Sequence, residues 1–394
     1  MSYVIGVLIF AVAILISIML HELGHFATAK AFRMKATQFF VGFGNTLWSF
    51  RRGETEYGVK ALPLGGFVKI TGMTSIDEVD PVDEPRSFRR HPGWQRVIVL
   101  SAGSFMHFMI AFVLLWIGAV GIGSIRSVST VVTVSPCVPA TATASCVPGG
   151  QRSPAVIGGL KSGDKIVAVD GQPVPNYSSL VRRIRSQPAG VPVKLTVLRG
   201  ARKLILTVQL AQPKWDSGHS FLGVSPAVLT YKTAGPIAGV SQAASGFGTT
   251  VAESFAGLAK IPCAIPVLFA KDRGKTACGQ ISSVVGAANV TGQVLQQGFG
   301  WRTTAGEILS IVISVNIFVG IFNLLPLLPL DGGHIAIVLY ERARAQVARL
   351  RRRPDPGLVD IQRLIPVSVG VFALLVCLSL LLIAADIVNP LHLQ

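Results

Sequence analysis

Ile14-Leu15-Ile16-Ser17-Ile18-Met19-Leu20-His21-Glu22-Leu23-Gly24-His25 is an apolar run that ends in three ionisable side chains. The run starts near Tyr3, and Tyr3–Leu20 is long enough to cross a bilayer, which takes about 20 apolar residues as a helix. Ionisable groups at membrane depth cost roughly 2.5–3.5 kcal/mol each on insertion scales, so a cluster of them marks a site. His21 and His25 are four residues apart, on one helix face, where two imidazoles can grip one zinc ion. Glu22, between them, can take a proton from the attacking water and serve as general base. The run has no basic start and no small-residue cleavage site, so it reads as a retained helix and not as a cleaved signal.

Working outward, Val97–Ile122, Ile308–Leu328 and Leu364–Ile387 are also long enough to span. Only 14% of the 394 residues are charged and half are hydrophobic, with a mean hydropathy of +0.56. Soluble chains carry about 25% charged residues, so the composition points to a bilayer. The formal charge of +17 suits anionic lipid as a partner. No phosphate loop, zinc-finger spacing or aromatic–basic RNA motif accompanies it, and no nucleic-acid partner is expected.

Lys and Arg crowd two loops, Arg33 to Arg96 between the first two spans and Arg342 to Arg363 between the last two. By the positive-inside rule these loops are cytoplasmic, which puts both termini and the long segment 123–305 outside. Arg351-Arg352-Arg353 reads as a topogenic signal. Cys137, Cys146, Cys263 and Cys278 all fall in the outer segment, where an oxidising compartment allows disulfides. Four cysteines allow three connectivities; closeness in sequence favours Cys137 with Cys146 and Cys263 with Cys278.

Four regions follow. Residues 1–127 hold two spans and a β-hairpin loop dipping toward the membrane, whose short β-rich runs are broken by Gly. Within that region Asp77–Arg90 reads as a mobile charged loop. Residues 128–212 form an extracytoplasmic α/β domain, with strands at Val131–Val134, Lys165–Val169, Val193–Leu198 and Leu204–Leu210 and a helix at Ser178–Ser186. Residues 213–304 suggest amphipathic helices on the outer membrane face. Residues 305–394 hold the last two spans.

Two histidines leave a zinc ion short of a third protein ligand. Phe322-Asn323-Leu324-Leu325-Pro326-Leu327-Leu328-Pro329-Leu330-Asp331-Gly332-Gly333-His334 is the candidate region, because its prolines break the helix and irregular backbone at membrane depth lines a cavity. The first and third spans both end inward, so this region and His25 share one membrane side. Two side chains compete. Imidazole is the commoner ligand and favours His334; Asp331 stands where a helix can begin, and its carboxylate offsets cation charge.

These motifs resemble those of the site-2 protease family of intramembrane zinc metalloproteases, in particular the bacterial regulator-of-sigma-E protease branch with a PDZ domain. The likeness rests on His21-Glu22-Leu23-Gly24-His25 and Asn323…Leu330-Asp331-Gly332, supported by Gly42-Phe43-Gly44, the Leu64–Ile70 run and a Gly159-Leu160-Lys161-Ser162-Gly163-Asp164 stretch. It implies an α-helical membrane protein of four transmembrane helices, a membrane-associated β-hairpin and an inserted PDZ-like domain. It implies zinc on His21, His25 and Asp331, with Glu22 as base. Asn323 and the edge Gly65, Gly66, Phe67 and Val68 would hold substrate backbone by β-augmentation. It further implies single-span membrane protein substrates, anti-sigma factors already cut by a first protease, in a bacterial plasma membrane with the active site toward the cytoplasm.

The second span departs from that pattern. Where the branch has Gly-Pro followed soon by Asn, this chain reads Gly103-Ser104-Phe105-Met106-His107. His107 and His334 are therefore candidates for a supporting polar role, with a satisfied core histidine as the competing reading of His107. Two other function classes fit part of the pattern. A zinc-binding transporter would not need a Glu between the ligands, and an inactive PDZ scaffold would be expected to have lost Glu22 or a ligand.

Overall fold

A computed structural model describes the chain except residues 74–77, 139–145, 147–149, 214–217, 228, 271–272, 274–277, 280, 297–299, 355 and 391–394. Its elements run in order: α1 (Ser2–Ala31), β1 (Ala36–Arg52), β2 (Thr55–Ile70), α2 (Gly93–Ile117), β3 (Ser124–Val128), β4 (Val132–Val134), α3 (Pro154–Ile157), β5 (Lys165–Val169), β6 (Gln172–Pro173), α4 (Tyr177–Arg185), β7 (Pro192–Arg199), β8 (Arg202–Gln209), β9 (Val224–Pro226), β10 (Leu229–Lys232), α5 (Pro236–Ala259), α6 (Ile261–Ala264), α7 (Val284–Gln296), α8 (Trp301–Asn323), α9 (Asp331–Leu350) and α10 (Ile365–Val388).

Among the described residues four helices are long and apolar enough to cross a membrane: Ser2–Ala31, Gly93–Ile122, Trp301–Asn323 and Gln362–Val388. These are the four segments expected from composition, with shifted bounds at two of them: α1 continues past Leu20 to Ala31, and the third begins at Trp301 and not at Ile308. The third was expected to run to Leu328, but α8 stops at Asn323. Pro326 biases the residue before it away from helical angles and lacks an N–H, so the helix ends just upstream.

The chain divides into two compact units, Met1–Gly118 with Pro236–Leu391, and Ala119–Gly235. In the first unit α1 packs on α2 and α7, α2 on α8, and α5 on α2 and α8. Two apolar clusters join these elements. Ala29, Met34, Ala36, Ile70, Phe88, Val99, Leu100 and Val338 knit the end of α1 to the base of the β-strands, α2 and α9. Ala111, Ile313, Ile317 and Ile321 hold α2 on α8, with Phe247, Val251 and Leu258 of α5 against them.

β1 and β2 are rich in β-branched and aromatic residues and pair through a tight turn, Arg52 opposite Thr55. The first half of β1 is flanked twice: residues 36–41 face Gly66–Ile70 on one side and residues 38–41 face Glu56–Val59 on the other. Gly66–Ile70 is thus an outer strand, and among the described residues nothing pairs with its other edge. Glu54, in the turn, accepts a forked pair of hydrogen bonds from Arg86 at 2.7 and 2.8 Å and one from Lys30 at the end of α1.

Asp77 lies outside the described residues. The rest of the stretch expected to be a mobile loop is instead tied down: Glu84 pairs with Arg89 and Arg90, Asp83 with Lys35, and Phe88 is buried. Its charges find partners within the fold, which a count of charges cannot reveal. Cys263 and Cys278 form a disulfide, the expected pairing.

The second unit holds a sheet of order β6-β5-β7-β8, the pairs β4–β9 and β3–β10, and helices α3 and α4. Its core is Val132, Leu160, Ile166, Val169, Leu180, Ile184, Leu195, Val197, Val208 and Leu222, with others around them. The strands and the helix expected inside 128–212 are present within a residue or two at each end. Asp164, buried, accepts from Arg199 at 2.8 Å and from the backbone N–H of Lys161, which holds the tight turn before β5. Cys137 and Cys146 are joined, again as expected.

Candidate active site

Seven residues per two helical turns put His21 and His25 on one face of α1, and both are buried against α2. Their Nε2 atoms stand 3.1 Å apart. Asp331 Oδ2 lies 3.4 Å from His21 Nε2 and 3.5 Å from His25 Nε2. Atoms bound to one tetrahedral zinc at about 2.0–2.1 Å stand roughly 3.3–3.4 Å apart, so this triangle has the size of one face of such a site. Asp331 Oδ2 and His21 Nδ1 are buried with no hydrogen-bond partner among the described residues. An orphaned carboxylate oxygen aimed between two imidazole nitrogens is an environment that a cation satisfies. The donor set fits zinc.

Local sequence explains each position. His25 Nδ1 is 2.7 Å from the Val99 carbonyl oxygen, so Nδ1 carries the proton and Nε2 presents its lone pair to the centre, the usual way a ligating histidine is oriented. Gly103 on α2 makes room for both rings: a Cβ there would sit 2.4 Å from His25 Nε2 and 2.6 Å from His21 Nε2. Asp331 is the first residue of α9, where unpaired backbone N–H groups favour a carboxylate. Gly332 lets α9 begin at that place, because a Cβ would fall 2.3 Å from the Leu324 carbonyl.

Glu22 is half-buried beside the outer strand of β2. Its Cγ would be 3.4 Å from a Cβ at Gly66. The expected edge Gly65, Gly66, Phe67 and Val68 therefore runs past the candidate base. Phe67 stacks on Phe40 at 5.6 Å and on Phe43 at 6.2 Å, which stiffens that strand.

His107 is buried with its ring centroid 5.0 Å from that of His21. Its Nδ1 is 2.9 Å from Asn316 Oδ1, and Asn316 Nδ2 donates to Val312 O at 2.8 Å. The second bond sets which end of the amide faces His107, so His107 Nδ1 donates. Asn316 is a residue that sequence reading missed, although a lone amide inside an apolar span is a recognised signal. Asn323 ends α8 and is half-buried. His334 lies one turn along α9 from Asp331 and does not join the three-donor cluster.

The profile of peptidase family M50 matches residues 9–353. Zinc metalloprotease Rip1 of Mycolicibacterium smegmatis is 35% identical over 413 aligned residues, spanning 99% of each chain. Zinc metalloprotease Rip1 of Mycobacterium tuberculosis is 34% identical over 412, spanning 100% of both.

Proposed function

The chain belongs to peptidase family M50, a multi-pass zinc metalloprotease of the site-2 type, and from that premise we propose how its own residues divide the work. His21, His25 and Asp331 hold the zinc, and Glu22 is the general base. The observation that carries this reading is the triangle of Nε2, Nε2 and Oδ2 atoms beside Glu22 and an unpaired strand edge. Bound zinc supplies a Lewis acid for the scissile carbonyl and lowers the pKa of the attacking water.

Glu22 takes the proton from that water and returns it to the leaving nitrogen. A substrate helix hides its peptide bonds in its own hydrogen-bond ladder, so it must unwind before attack. The outer edge of Gly66–Ile70 then supplies backbone groups that pair with the freed strand, and Asn323 holds the backbone from the α8 side. Packing against Gly103 and His107 keeps His21 in place, and Val99 fixes the tautomer of His25.

The substrates are single-span membrane proteins, anti-sigma factors already shortened by a first protease, and the site opens toward the cytoplasm with both termini outside. The two basic loops face anionic lipid on that side. Residues 128–212, inside the unit Ala119–Gly235, are the PDZ-like domain and filter substrates by the size of their outer portions. Removing residues 128–212 should then permit cutting of an untrimmed substrate, and unchanged selectivity would refute the filter.

Chelation tests the reading as a whole. Purified protein in lipid should lose cleavage of a single-span substrate when zinc is stripped and regain it when zinc returns, with the cut mapped by mass to the span or its border. Cleavage that survives complete zinc removal would sink it.

A further inference from the structure

α9 has a face that nothing among the described residues covers. Its inward side carries Gly332, Gly333, Val338, Glu341 and Ala348, all buried. Glu341 is paired with Arg96 at 3.0 Å and accepts from the Val359 N–H at 2.9 Å. The outward side presents Leu339, Ala343, Val347 and Leu350 at steps of four, four and three, one continuous stripe on a helix. Leu339 is 54% exposed, Val347 46% and Leu350 84%.

Arginines border that stripe. Arg342 and Arg349 fall along one flank and Arg344 along the other, and Arg351, Arg352 and Arg353 follow at the end. Arg344 leans on the Tyr340 ring at 5.9 Å and donates to the carbonyls of Pro356 and Gly357. The only carboxylates in the helix are Asp331 and Glu341, both turned to the interior of the fold. The exposed surface is therefore apolar down the middle and cationic at the sides.

We propose that α9 lies in the interface of an anionic bilayer, its stripe in the acyl boundary and its arginines on anionic headgroups. Chain connection restricts where it can go. Residues 324–330 join it to the end of the α8 span, and residues 351–364 join it to the α10 span, so it stays beside the membrane surface. An apolar stripe with arginines on both flanks is the pattern of an interfacial helix. Anionic lipid is chosen over a neutral surface because no acidic group on the outward face balances the arginines. The proposal rests on the transmembrane reading above and deepens its lipid partner, adding to the topogenic role of Arg351–Arg353.

The test uses the full chain with Leu350→Cys in a Cys377→Ser background, labelled with a polarity-sensitive fluorophore. The labelled protein is reconstituted in phosphatidylcholine vesicles and in phosphatidylcholine–phosphatidylglycerol vesicles, each carrying acyl-chain spin-labelled lipid as quencher. Quenching should be stronger in the anionic vesicles and should weaken as salt rises. Arg349→Gln, Arg351→Gln and Arg353→Gln together should reduce it, the ratio of embedded to water-exposed probe falling roughly fivefold per arginine removed. Those three side chains are exposed, and unchanged zinc content in the triple variant reports that the first turn of α9 is intact.

Equal quenching in both vesicle types, or a probe that stays in water in both, overturns the proposal. So does a probe shielded from water without lipid quenching, with Leu350→Cys forming disulfides between copies, since a second chain then covers the stripe. Quenching needs no catalysis, so its failure is separable from a failure of the protease reading.

Discussion

At the residue scale the site is a small triangle, and the two candidates for its third corner make different predictions. Asp331→Ala should lose zinc and activity together, whereas His334→Ala should keep the metal, because Asp331 Oδ2 and not His334 closes on the two histidines. Zinc content of the two purified variants checks this; a His334→Ala protein without zinc would reverse the assignment. His21, Glu22 and His25 were legible because their relation is local, fixed by helical repeat within five residues. Asp331 was legible as an acid next to a proline break. Val99, Gly103 and Asn316 were not, because their roles exist only where α1, α2 and α8 meet. His107 was seen as a departure from a motif, but its bond to Asn316 depends on the crossing of two helices, which the sequence of neither helix fixes alone.

At the element scale, one half-buried carboxylate, Glu54, ties the turn of the β1–β2 pair to Arg86 and to Lys30 at the end of α1. The Arg86 guanidinium, with Lys30 beside it, holds the Glu54 carboxyl down from the ordinary 4.5 to about 2. Folding lowers this pKa, so the stabilisation is complete above about 4.5 and is lost as pH falls toward 2. Glu54→Gln should therefore show at neutral pH the loosening that the native chain shows only in acid. Hydrogen exchange of the β1 and β2 amides reads this, and identical protection in the two proteins would count against it. The spans were legible from apolar length alone. The end of α8 at Asn323 was displaced because a hydropathy run passes through Leu324–Leu328 while the backbone, facing Pro326, cannot. The charged stretch after β2 was misjudged for a similar reason, since its partners Glu54 and Lys35 are distant in sequence.

At the scale of the whole molecule, helices that cross a membrane deliver two sequence-distant fragments to one place. α1 brings two imidazoles and a carboxylate, and the break between α8 and α9 brings the third donor, with α2 filling the space through a glycine. A strand edge passes this centre, and α9, whose outward face turns basic from Arg342 on, begins at the same aspartate. The account's central claim is that hydrolysis depends on Glu22 while metal binding does not. The measurement is paired zinc content and cleavage rate for the native protein and Glu22→Ala in lipid. Full zinc content with a rate lower by about 10²–10⁴, the usual contribution of a general base, is the expected result. A zinc-loaded Glu22→Ala protein that cuts at the native rate would contradict it.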